Sequence, residues 1–233
     1  MKIGLLQCDS VLDSLQGKHG NYPAMFIDLF KQVDPSIELV VFNVVEGEYP
    51  DNIKDFDGYI TTGSRHGAED DLPWINRLIE FVANLYQHNI KLVGICFGHQ
   101  IIAKALGGQV VKSDKGWGVG VSLNTVERQT SWMEPFQDKL NLIVSHQDQV
   151  VRLPEDSEVL ASSDFCPSYM YTVGECFLSI QGHPEFSKAY SYDLMESRRD
   201  RIDAHIIEQG QASLEFAVDD RLTVQWICQF LRS

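Results

Sequence analysis

The chain has 233 residues, 44% hydrophobic and 22% charged, which is enough apolar material for one large packed domain. Its 19 Lys and Arg against 33 Asp and Glu leave a net charge of −14, which argues against nucleic acid and anionic membrane surfaces as partners. No apolar run is long enough to span a bilayer, and the five cysteines (Cys8, Cys96, Cys166, Cys176 and Cys228) contain no Cys-x-x-Cys pair. The expectation is a reducing, cytoplasmic setting, with no disulfide framework, no metal site and no signal segment.

In chain order, Lys2 to Gln7 reads as a core strand, and the polar stretch Asp9 to Gly20 as a connection. Asn21 then caps a predicted helix through about Gln32, with Met25, Phe26, Leu29, Phe30 and Val33 as its apolar face. Ile37 to Val45 and Gly58 to Thr62 are buried strands, and Leu72-Pro73-Trp74 opens a long helix to about His88. Alternating strands and helices predict an α/β fold, a doubly wound and mostly parallel sheet with helices on both faces.

Lys91 to Ile95 is short, apolar and unbroken, as a strand buried on both faces would be, and Ile101, Ile102, Ala105 and Leu106 follow at helical spacing up to Gly107-Gly108. Cys96 stands at the corner, with Gly94 and Gly98 two residues to either side. This pattern resembles a nucleophile elbow with cysteine in the serine position. A thiol at a helix N-terminus is shifted toward the reactive thiolate, and the amide of Phe97 is available to a developing oxyanion. A structural cysteine between packing glycines is the competing reading, so a partner base is required.

Beyond Gly108 closely spaced strands are expected at 109–112, 118–126, 141–144, 159–162, 168–173 and 176–181, an added antiparallel region, with a helix possible only around Trp132 to Phe136. Lys188 to Ser233 reads as a helical extension of a core spanning 1–187, all within one domain. Within it the helical segment Tyr192 to Gln209 carries the charge run Arg198, Arg199, Asp200, Arg201, which reads as a solvated face, and Asp219-Asp220 reads as the cap of the last helix.

Three loops follow predicted strands, at the edge where such sheets bind ligands. Thr61 to Gly67 contains Gly63, whose backbone can approach a ligand; Arg65 and His66 read as exposed. The second is Ser145-His146-Gln147-Asp148, and the third Gln181-Gly182-His183-Pro184-Glu185. His183 and Glu185 are two apart and share a side in extended chain, while Pro184 keeps His183 extended. A carboxylate holding one imidazole nitrogen while the other faces a thiol is the logic of a triad.

Gly94 to Gln100 together with His183-Pro184-Glu185 resembles the signature of class I, or triad, glutamine amidotransferases, from the first strand to about Glu185. Ser145 to Val150 and Asp70-Asp71-Leu72-Pro73-Trp74 are most similar to stand-alone proteins like the glutaminase domain of GMP synthetase, a group that includes plant γ-glutamyl peptidases. The resemblance implies a flavodoxin-like sheet, no cofactor, and a small-molecule substrate, glutamine or a γ-glutamyl compound. It also implies that Cys96 attacks the side-chain amide, His183 shuttles the proton and Glu185 orients His183. The amides of Gly63 and Phe97 would form the oxyanion hole, and Gln100 with Ser145, His146, Gln147 and Asp148 would bind substrate. The chain departs from the family where Thr62-Gly63 replaces a glycine pair and where Gln147 replaces glycine.

The leading expectation is a cysteine-dependent hydrolase or transferase acting through a γ-glutamyl thioester. The alternatives are a glutaminase subunit that supplies ammonia to a synthetase partner, and a non-catalytic binding module. An α/β-hydrolase is the rival fold, but there the acid precedes the histidine.

Overall fold

The computed structural model describes residues 1–233 and is an α/β fold. The first half alternates β1 (Lys2–Gln7), α1 (Asp13–His19), α2 (Tyr22–Val33), β2 (Glu38–Asn43), β3 (Gly58–Thr61), α3 (Pro73–Gln87), β4 (Leu92–Ile95) and α4 (Phe97–Ala105). Seven strands follow: β5 (Gln109–Lys112), β6 (Gly118–Val126), β7 (Lys139–His146), β8 (Asp148–Arg152), β9 (Ser157–Ser162), β10 (Met170–Val173) and β11 (Phe177–Ile180). Helices α5 (Lys188–Glu196), α6 (Ala204–Ser213) and α7 (Asp220–Arg232) end the chain.

One nine-stranded sheet runs β2-β1-β3-β4-β11-β10-β9-β6-β7, and β5 pairs with β8 in a separate ribbon. From β2 to β11 the strands are parallel, in the doubly wound order; from β10 outward they are antiparallel. Helices cover both faces. Phe26, Leu29 and Phe30 of α2 pack with Val224, Trp226 and Ile227 of α7 on one, and Ile75, Leu78, Val82 and Leu85 of α3 with Ile101 and Ile102 of α4 on the other. A third cluster seats Leu194, Met195 and Ile207 of α5 and α6 on Val121 and Ile143 of the antiparallel strands. Burying each such side chain contributes roughly 1.5–3 kcal/mol.

Four local expectations are corrected. The stretch read as a connection holds α1, none of whose residues is buried, so no apolar periodicity marks it. No helix forms at Trp132 to Phe136, where Met133 is buried among other elements. The tail between Ser187 and Leu214 divides into α5 and α6, with turns from Ser197 to Ile202. Asp219 precedes α7 but does not cap it: its carboxylate accepts from the Asn141 amide at 2.7 Å and ties the tail to β7. Asn21 does cap α2, accepting from the Tyr22 amide at 2.9 Å and from Val11 at 2.9 Å.

Candidate active site

The register of the parallel strands brings three distant loops together. Central β4 pairs with β3 on one side and β11 on the other, with Ile95 opposite Ile180. The Cys96 amide then donates to the Ile180 carbonyl at 2.9 Å, so the chain after β11 leaves beside the corner after β4.

Cys96 occupies that corner with φ +50° and ψ −95°, a conformation that costs a residue with a side chain on the order of 1–3 kcal/mol. Its neighbours make the turn possible. A Cβ on Gly98 would lie 1.7 Å from Thr61 Oγ1, and one on Gly94 would lie 2.6 Å from the Gly98 carbonyl oxygen. Helix α4 and strands β3 and β4 therefore approach more closely than any other residue allows. The sequence expectation for the elbow holds, and close approach is the reason for its glycines.

His183 and Glu185 meet as their spacing predicts: His183 Nδ1 donates to Glu185 Oε1 at 2.8 Å, both side chains being buried. The His183 amide donates to the Ile143 carbonyl at 2.8 Å, anchoring the residue to β7. Phe186 stacks on the imidazole, ring centroids 3.8 Å apart and 8° from parallel, and Tyr190 meets Phe186 edge-on. A cation is favoured over such an aromatic face. Burial by itself would lower the His183 pKa. The neighbouring Cys96 sulfur and the Glu185 carboxylate outweigh that and raise it from 6.5 to about 10. Burial instead pushes His146 down to about 4 and His99 to about 3, the opposite direction to His183.

Gly63 packs against both partners. A Cβ there would lie 2.7 Å from His183 Cε1 and 3.7 Å from Cys96 Cβ. Neighbouring Thr62 is turned away from the cavity: its hydroxyl accepts from the Cys8 amide at 2.9 Å and donates to the Gly63 carbonyl at 2.9 Å. Gln147, the other departure, lines the cavity.

A cavity of about 190 Å³ opens above Cys96, and Phe97, Gln100, Ser145, His146, Gln147 and Asp148 all contribute to its wall. His183, Glu185 and Gly63 do not contribute to this wall. Gln100, four residues along α4 from Cys96, donates through Nε2 to the Asp148 carbonyl at 3.0 Å, and His146 Nδ1 donates to the same oxygen at 3.1 Å. The Asp148 carboxyl is raised above its ordinary pKa by burial. Arg65 is exposed as expected and His66 is half-buried; both also line the cavity, Arg65 pairing with Asp9 at 2.8 Å.

The sequence reading missed four residues of this wall: Lys112, Trp117, Arg198 and Arg201. Arg198 corrects the expectation of a solvated charge run. Its Nη1 donates to Ser145 Oγ at 2.6 Å and its guanidinium lies 5.5 Å from the Trp117 ring centre. Nothing in the local pattern of the tail distinguishes it from exposed Arg199. Phe186 was also missed, although an aromatic residue directly after Glu185 was the available signal.

No helix is long and apolar enough to cross a membrane, and no group of three or more His, Cys, Asp and Glu side chains is arranged to hold a metal ion.

Residues 36–194 match the family model for glutamine amidotransferase class-I. The chain is 31% identical to γ-glutamyl peptidase 3 of Arabidopsis thaliana, over 97% of this chain and 93% of that protein. It is also 31% identical to a glutamine-hydrolyzing GMP synthase subunit of Sulfolobus acidocaldarius, over 58% of this chain and 70% of that one. A glutamine amidotransferase structure from Thermotoga maritima superposes with a TM-score of 0.77 at 18% identity, covering 99% of this chain and 98% of the other, a likeness of fold. With the family model spanning most of the length and the peptidase alignment nearly all of it, the chain belongs to the class I glutamine amidotransferases.

Proposed function

We propose that this protein cleaves γ-glutamyl amides through a γ-glutamyl thioester on Cys96, with His183 and Glu185 as its partners. The observation that carries the reading is the strained corner at Cys96, with Gly63 packed against both it and a buried imidazole held by Glu185 at 2.8 Å. The Cys96 thiolate attacks the side-chain carbonyl carbon, and the new oxyanion accepts hydrogen bonds from the Gly63 and Phe97 amides. His183, as imidazolium, gives its proton to the leaving nitrogen as the C–N bond breaks, releasing an amine. Water then adds to the thioester while His183 takes its proton. Collapse expels the thiolate and frees glutamate. Glu185 holds the ring in one tautomer and stabilises its positive form.

Gln100, His146, Gln147 and Asp148 bind the glutamyl end, the half-buried Asp148 carboxylate serving an ammonium group. Similarity along nearly the whole chain to γ-glutamyl peptidases favours γ-glutamyl peptides over free glutamine. The second reading, a glutaminase that serves a synthetase partner, is favoured by the shorter likeness to the GMP synthase subunit.

The test is a comparison of kcat/KM for glutamine and several γ-glutamyl dipeptides with the purified chain alone, assaying the released amine. Turnover of peptides above glutamine supports the first reading. Inertness toward every substrate until a synthetase partner is added supports the second.

A further inference from the structure

Arg198 is a cation that no group of the protein neutralises. The nine ion pairs of the molecule include neither it nor Lys112 nor Arg201, although acidic residues outnumber basic ones and the net charge is −14. Its inner nitrogen Nε is fully shielded and has no acceptor, while Nη1 is held by the Ser145 hydroxyl and the plane lies over Trp117. A half-buried guanidinium that faces a cavity without a carboxylate beside it is costly unless an anion completes it. The forked geometry of the group suits a carboxylate. Because Arg198 and Arg201 both line the cavity above Cys96, that anion belongs to whatever occupies the cavity.

The position of Arg198 decides which end of a substrate it meets. His183 is bridged to Ile143 of β7, and Ser145, which holds Arg198, lies two residues further along the same strand and on the same face. The aromatic platform beneath His183 leads the same way. Phe186 stacks on the imidazole and touches Tyr190, and Arg198 lies within electrostatic reach of Tyr190 and Tyr22. Arg198 is thus on the histidine side of the thiol, where the proton goes to the leaving nitrogen. Gln100 and Asp148 join on the α4 side, where the glutamyl end sits.

We propose that Arg198, held by Ser145 over Trp117 and accompanied by Arg201, binds the free carboxylate of the leaving amino acid or peptide. The substrate class is then γ-glutamyl peptides with a free acid terminus, in preference to glutamine and to γ-glutamyl amines, whose leaving groups carry no such charge. This rests on the γ-glutamyl reading above.

The test separates the two by measuring binding apart from turnover. Calorimetry with the Cys96→Ala protein compares γ-glutamylglycine and γ-glutamylglycylglycine with their C-terminal carboxamides. The glutamyl end is the same within each acid and amide pair. In this background the better acid should bind about ten- to a hundredfold more tightly than its amide, the effect of a charge-assisted contact. Adding Arg198→Gln should bring that ratio close to one, and Arg198→Lys should restore part of it. Equal binding of acid and amide for both peptides in Cys96→Ala, which needs no change at Arg198, overturns the proposal. So does a ratio that survives Arg198→Gln, or a loss that falls equally on acid and amide, which would assign Arg198 to the glutamyl carboxylate. If acids bind preferentially yet the unmodified protein turns over neither form, the carboxylate subsite stands and the catalytic reading fails.

Discussion

Replacing Gly63 with alanine probes the junction on which the proposed chemistry depends. The added methyl carbon would lie 2.7 Å from His183 Cε1, whereas ordinary contact begins at 3.4 Å, so the ring must retreat by about 0.7 Å. It has little room to do so. One face rests on Phe186 at 3.8 Å between centroids, Nδ1 is tied to Glu185 at 2.8 Å, and the backbone amide is bound to Ile143 at 2.8 Å. A displacement approaching 1 Å between reacting groups costs about 10²-fold in rate, and overpacking a buried contact costs about 1–3 kcal/mol of stability. Gly63→Ala should therefore lower kcat/KM by about a hundredfold while the protein stays folded. The assay pairs amine release from a γ-glutamyl dipeptide with thermal unfolding and with the rate of Cys96 alkylation, which reads the thiolate and imidazolium pair without substrate. Rates of turnover and alkylation within twofold of the unmodified protein would refute the proposed closeness of Gly63, His183 and Cys96.

Cys96→Ala should abolish turnover by several orders of magnitude with the fold intact, and a glutamine-like electrophile should label Cys96 alone in a peptide map. Burial pushes the Cys166 thiol up to about 12 and Cys8 higher still, so labelling at either with activity retained in the variant would contradict the assignment. His183→Ala should be more damaging in steady-state assays than Glu185→Gln, whose amide can still hold the ring. Because Glu185 raises the His183 pKa, Glu185→Gln should move the alkaline limb of the pH–rate profile to lower pH, and an unmoved limb would place the orienting charge elsewhere. Gly98→Ala would drive a methyl into Thr61 Oγ1, the hydroxyl that accepts from the Ile95 amide at 3.1 Å, and should lower the melting temperature by several degrees, measurable by calorimetry.

Much of this molecule was legible before folding, because the features concerned are local. The elbow is written as a buried apolar strand, a cysteine between two glycines and a helical repeat. Each of those is dictated within a few residues by steric freedom and by period. His183-Pro184-Glu185 is local in the same way: the extended backbone enforced before proline puts both side chains on one side, and the 2.8 Å contact between them follows. The parallel half of the sheet was legible from the alternation of elements. Helix α1 was not, since it buries no residue and shows no apolar stripe, and the break between α5 and α6 carries neither glycine nor proline.

What only the tertiary structure decided is which loops meet and what fills the space between them. Strand order sets Ile180 beside Ile95 and so delivers His183 to Cys96 from 87 residues away; no local property of either segment specifies that register. The close approach of Gly63 to both side chains is likewise a product of β3 lying next to β4. Arg198 is the plainest case. In the chain it belongs to a run of charges indistinguishable from a solvated face, yet the packing of α5 and α6 against β6 and β7 carries it over Trp117 and under the Ser145 hydroxyl. Charge can be counted in a sequence, but whether a charge is left without a counter-ion depends on distances between segments, and only the folded chain sets those.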